Sequence, residues 1–114
     1  MRCLLLSVLT LMPVLAFSDG VPEAADAASG KSIYMQTCIV CHGADGKGTI
    51  PGVPDFTDKS TPLTKSAAEL MKNINEGFQT KGSFMAMPAK GGNPALTEAD
   101  VRAVLAYLRA EFGT

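Results

Sequence analysis

The chain has 114 residues, one domain's worth, with 10 basic and 11 acidic side chains, three cysteines and a single histidine. That near-neutral balance argues against nucleic acid or an anionic membrane surface as a partner. A domain this small buries a modest core, so a large bound group would supply much of its interior.

Residues 1–18 read as a secretory signal. Arg2 gives a short positive start, residues 3–17 are mostly apolar, and Ala16 and Ser18 place small residues at the −3 and −1 positions of a cleavage site. The apolar stretch is short for a bilayer span, and Cys3 stands at its start, ahead of Leu4-Leu5-Leu6, the wrong place for a lipid-attachment cysteine. The expectation is an exported, soluble protein that does not span the membrane after cleavage. Residues 19–29, rich in Ala, Gly, Pro and acids, read as a flexible leader. The domain itself is expected over 30–114.

A first helix is expected over residues 30–38, with Ser29 as its cap and Gly30, Ile33, Tyr34, Thr37 and Cys38 on one face. It runs into Cys38-Ile39-Val40-Cys41-His42, the C-x-x-C-H signature of c-type haem attachment. Two thiols three positions apart share one side of a helical turn, so both reach one edge of a porphyrin. The next residue brings an imidazole to the iron. Rival readings are weaker. A Cys38–Cys41 disulfide closes a loop too short to constrain much chain, a thioredoxin-like pair lacks its βαβ context, and structural zinc needs four ligands.

Residues 43–64 are crowded with Gly and Pro and show no strand pattern, and Gly46-Lys47-Gly48 reads as a turn. A second helix opens at Ser66 with Glu69 as an S-x-x-E capping box. Its stripe is Ala67, Leu70, Met71, Ile74 and Phe78, and Gly77 is its stop. Residues 79–96 form another Gly/Pro-rich loop. A third helix opens at Thr97, with Glu98 and Asp100 in its first turn, the stripe Val101, Val104, Leu105, Leu108 and Phe112, and Arg109 near its end. The class is all-α, three helices joined by long loops of the kind that serve function.

What fills the sixth iron position decides the chemistry. With one histidine in the chain, the candidates are methionines. Met35 and Met71 fall in helical patterns and read as core filler. Met85 and Met87 lie in the second loop, within Phe84-Met85-Ala86-Met87-Pro88, where Pro88 biases Met87 toward an extended conformation. Tyr34 and Tyr107 read as packing residues, and Lys72, Lys81 and Lys90 as solvated surface with a possible part in docking.

Over residues 30–112 the chain resembles the class I c-type cytochromes, specifically the small bacterial monohaem, cytochrome c5-like type. The resemblance rests on C-x-x-C-H, on Pro54 twelve residues after His42, and on Met87-Pro88-Ala89-Lys90-Gly91-Gly92-Asn93-Pro94 ahead of an amphipathic helix. It implies the class I cytochrome c fold wrapped around one haem c, covalent through Cys38 and Cys41. It implies axial ligation by His42 and Met87, with Met87 matching better than Met85, and a Pro54 carbonyl that fixes the other nitrogen of His42. It also implies that the first and last helices cross, with Gly30 permitting close approach near Tyr34 and Tyr107. The extra cysteine pair often found near the distal loop of c5-like proteins is absent here, so the class is the firmer match.

The expected function is a soluble periplasmic one-electron carrier with low-spin His/Met haem c, not an enzyme, meeting redox donors and acceptors through short-lived interfaces. The alternatives are an electron-accepting cytochrome subunit of a dehydrogenase complex or a catalytic or gas-binding haem protein. The last lacks a distal histidine for acid–base work.

Overall fold

The computed structural model describes residues 23–60 and 62–113. The signal expected at 1–18, and Cys3 with it, lies outside the described residues. Among the described residues four α-helices follow in chain order: α1 (Glu23–Thr37), α2 (Ile39–His42), α3 (Ala67–Glu76) and α4 (Glu98–Glu111). Two 3-10 turns, Pro62–Thr64 and Ala89–Gly92, punctuate the long loops. Among the described residues the β pairing amounts to one isolated bridge, Phe78 with Met87. The fold is all-α, as expected, and α1, α3 and α4 are its main helices. No helix of the described residues is long and apolar enough to cross a membrane.

The core is built on α4. Val101, Val104, Leu105 and Leu108 of its apolar stripe are all buried, as are Ala103 and Tyr107. Its start is fixed by a reciprocal capping box. The Asp100 N–H donates to Thr97 Oγ1 at 3.1 Å, and the Thr97 N–H donates to Asp100 Oδ2 at 2.8 Å. Thr97→Ala is expected to cost about 1 kcal/mol, read from the urea midpoint. Bonds from the Thr97 backbone N–H, then from its hydroxyl, hold the Asp100 carboxyl below the usual carboxylate range. Because the folded value is the lower one, this contribution is complete above the ordinary carboxylate pKa and is lost as pH falls through the lowered value. The penalty for Thr97→Ala should therefore shrink on acidification.

α1 begins at Glu23, so residues 23–29 are helix where a flexible leader was expected, and Ser29 is an internal residue rather than a cap. The Ala-rich run before Gly30 has the strongest helix preference of any residue type. Gly30 is buried where α1 crosses α4. A Cβ built on it would overlap the Ala103 carbonyl and stand 2.9 Å from Tyr107 Cβ. Beyond this crossing the Tyr34 ring packs on Tyr107 (5.3 Å between centroids) and on Phe112 (5.9 Å). The Tyr34 hydroxyl donates to the Gly43 carbonyl at 2.6 Å. Burial raises the pKa of that hydroxyl, with the neighbouring Cys38 adding to the effect, so it stays a donor. Met35 lies on the exposed side of α1 rather than filling the core.

α3 opens as expected, the Glu69 N–H donating to Ser66 Oγ at 3.2 Å. The Glu69 carboxylate, however, turns to Lys65 Nζ at 3.1 Å. The helix stops at Gly77, whose φ of 84° suits a residue without Cβ. The next residue, Phe78, makes the bridge to Met87.

Candidate haem site

The hydrogen bonds of α1 run on through the cysteine motif. The Cys38 N–H donates to the Tyr34 carbonyl at 2.9 Å, and the His42 N–H to the Cys38 carbonyl at 3.0 Å. One helical turn therefore sets both thiols and the imidazole, while Val40, between the cysteines, is 75 % exposed. Gly43, at φ 78°, ends the turn, and the following loop folds back to satisfy its last carbonyls. The Gly48 N–H bonds the His42 carbonyl at 2.8 Å, the Thr49 N–H bonds that of Cys41 at 2.9 Å, and Thr49 Oγ1 donates to that of Val40 at 2.5 Å. Carbonyls that would otherwise end in solvent are thus fixed, and His42 with them.

Beside this turn lies a cleft of about 400 Å³, within the usual range of cofactor pockets. Cys38, Cys41, His42, Pro54, Met85 and Met87 all line it. Leu70 and Ile74 of α3 and Leu105 and Leu108 of α4 give it an apolar wall. All five site residues expected from sequence therefore meet on one cavity, and the rival Met85 meets it too. Met35 and Met71 do not reach it.

The imidazole is 8 % exposed, and its Nδ1 is buried with no hydrogen-bond partner among the described residues. The bond expected from Nδ1 to the Pro54 carbonyl is not made. The Phe56 N–H is fixed to the Gly46 carbonyl at 2.8 Å, and the Phe56 ring lies against the imidazole face. The His42 and Phe56 rings stack with centroids 4.7 Å apart and planes 14° apart. Phe56 in turn meets Phe112 of the α4 terminus at 6.1 Å. Phe56 was not singled out in sequence; its place two residues after Pro54 was the available signal. Burial lowers the His42 pKa, so the ring is neutral at neutral pH and carries a free lone pair.

The thiols are unpaired, which disposes of the Cys38–Cys41 disulfide. Burial, and then the proximity of Cys41, push the Cys38 thiol up to about 11. Across the cleft, Met87 is pinned to the end of α3. Its N–H donates to the Phe78 carbonyl at 2.7 Å, and its carbonyl accepts from the Phe78 N–H at 3.1 Å. Gly77 is required for this approach, since a Cβ there would stand 2.8 Å from the Met87 carbonyl oxygen. Met85 is 41 % exposed, its backbone bonded to Ser83 Oγ two residues back. An apolar cleft holding two thiols, a neutral imidazole with an orphaned nitrogen and a thioether fits a porphyrin iron.

Comparisons with known proteins agree. Residues 25–108 match the family model described as cytochrome c oxidase, cbb3-type, subunit III. The chain belongs to the class I c-type cytochromes. It is 38 % identical over 86 residues to cytochrome c-555 of Chlorobaculum thiosulfatiphilum, an alignment covering 73 % of this chain and 93 % of that one. It is 33 % identical over 98 residues to the cbb3-type oxidase subunit CcoP of Rhodobacter capsulatus, covering 85 % of this chain but 33 % of that subunit. Among solved structures, the c-type cytochrome XoxG of Methylobacterium extorquens AM1 superposes with a TM-score of 0.60 at 30 % identity, covering 77 % of this chain and 51 % of that one. The cytochrome thus spans nearly the whole of one small relative and about a third to a half of two larger ones. Its cofactor is one haem c, held covalently through the cysteine pair, and its chemistry is electron transfer.

Proposed function

We propose that this cytochrome is an exported, soluble one-electron carrier of the periplasm whose haem iron is held by His42 and Met87. The observation that carries the reading is the placement of the buried neutral imidazole of α2 and the Phe78-pinned Met87 on one apolar cleft. When bound, the haem supplies a one-electron couple, and a histidine–methionine pair favours its reduced form. The chain's residues keep the site unchanged between the two oxidation states. The Val40, Cys41 and His42 carbonyls are fixed from the 43–49 loop, and Met87 is bonded at both backbone atoms. The leucines and isoleucine of α3 and α4 exclude water.

The test is the absorption spectrum of the assembled holoprotein, oxidised and reduced, before and after adding carbon monoxide. A low-spin spectrum indifferent to carbon monoxide is expected. A high-spin, carbon-monoxide-reactive spectrum would replace this reading with a ligand-binding one. The match to one third of CcoP favours a second arrangement, in which the same carrier is a lasting subunit of a respiratory complex. Size-exclusion of native extract separates the two by the size at which the haem elutes.

A further inference from the structure

We propose that Lys90 is a positioning residue for the iron-ligating thioether, its ammonium fastening the Met87 loop to the entry of α4. The inference rests on Met87 as the ligand. Among the described residues Lys90 is the one non-glycine with positive φ, at 54°. It opens a run of three left-handed residues, followed by Gly91 at 63° and Gly92 at 84°. Two glycines adopt that region freely; a lysine does so only where its surroundings hold it there.

What holds it is its own side chain. Lys90 Nζ donates to the Leu96 carbonyl at 2.8 Å in a partly buried setting. A surface lysine would leave that ammonium in water, so the expectation of a solvated Lys90 is corrected. The backbone winds around the same point. The Gly91 N–H bonds the Pro88 carbonyl at 3.1 Å, the Asn93 N–H bonds that of Lys90 at 3.1 Å, and the Leu96 N–H bonds that of Asn93 at 3.2 Å. The side chain thereby closes a hook over residues 90–96 that ends on the Thr97 cap of α4.

The hook is also wedged against the opposite wall of the site. A Cβ on Gly91 would stand 3.0 Å from Thr37 Cγ2 and 4.0 Å from Cys38 Sγ. The Met87 loop is therefore fixed at two ends, by the Phe78 bridge before Pro88 and by the Lys90 hook after it. Without the ammonium, the hook is held by its backbone turns and by the Gly91–Thr37 approach alone. The freedom gained at residue 90 is passed through Ala89 and Pro88 to Met87.

The experiment uses holoprotein of the wild type and of Lys90→Gly, Lys90→Met and Lys90→Arg. The readouts are the red charge-transfer band of thioether-bound ferric haem, carbon monoxide binding by the ferrous form, and the global unfolding midpoint. Lys90→Gly suits the positive φ and deletes only the side chain, and it decides the matter if Lys90→Met does not accumulate. Loss of a charge-assisted hydrogen bond should raise the carbon-monoxide-reactive fraction roughly tenfold in both, with a weakened band. Lys90→Arg, which keeps a cationic donor, should restore wild-type behaviour. A Lys90→Gly protein with an intact band and wild-type indifference to carbon monoxide would overturn the proposal, whatever its unfolding midpoint. A wild type that already binds carbon monoxide would instead overturn the Met87 assignment on which the proposal stands.

Discussion

Met87→Ala is expected to convert the holoprotein to a form that binds carbon monoxide and to lower its reduction potential. Axial ligand identity moves haem potentials across about 0.8 V, so exchanging a thioether for water should shift this one by an amount on the order of 0.1 V. Met85→Ala is the control, because both side chains line the cleft. The two differ in how the backbone holds them. Met87 is bonded to Phe78 at both its N–H and its carbonyl, whereas Met85 hangs from a local serine turn and is 41 % exposed. A ligand that must stay on the iron in both oxidation states needs the first kind of support. Redox titration of the two variants checks this. A Met85→Ala protein that loses its low-spin spectrum while Met87→Ala keeps it would transfer the assignment to Met85.

Much of this site was legible because its residues report local geometry. Cys38, Cys41 and His42 share one helical turn, and a turn can be read from spacing alone. The α4 helix was equally plain, since Thr97 opens it, Glu98 and Asp100 put negative charge in its first turn and the apolar stripe follows directly. The reciprocal Thr97–Asp100 bonds are what the structure adds. What escaped depends on contacts distant in sequence or on backbone states that residue type conceals. The Phe78–Met87 bridge is a single pairing and leaves no alternating pattern to detect. Lys90 carries none of the signals of a left-handed residue, a region where glycine or asparagine is the usual sign. Glu69 could bond the Ser66 amide or Lys65 equally well by spacing, and the ion pair prevailed. The Pro54–His42 contact is likewise a matter of distant geometry: the Phe56 ring, two residues on, stacks on the imidazole face, and Nδ1 finds no partner among the described residues.

Gly30→Ala should separate packing from propensity, because the two predict opposite signs. In the middle of α1, replacing glycine by alanine gains about 1 kcal/mol of intrinsic helix stability. At this position the new methyl would overlap the Ala103 carbonyl of α4 and crowd Tyr107 Cβ at 2.9 Å. A flexible side chain could swing aside, but a carbonyl inside a helix cannot, so the two helices must part. Overpacking typically costs about 1–3 kcal/mol, and a backbone carbonyl in the way puts this site at the upper end, so a net loss of about 2 kcal/mol should lower Tm by roughly 8–16 °C for a domain of this size. Tyr34 follows Gly30 by one helical turn and carries both the aromatic cluster and the hydrogen bond to Gly43. Spreading the crossing therefore loosens the start of the loop that fixes the His42 carbonyl. Calorimetry on Gly30→Ala, with the exposed Ala28→Gly as a propensity control, distinguishes the cases. A Gly30→Ala protein more stable than the wild type would mean that α1 and α4 do not approach as closely as their packing indicates.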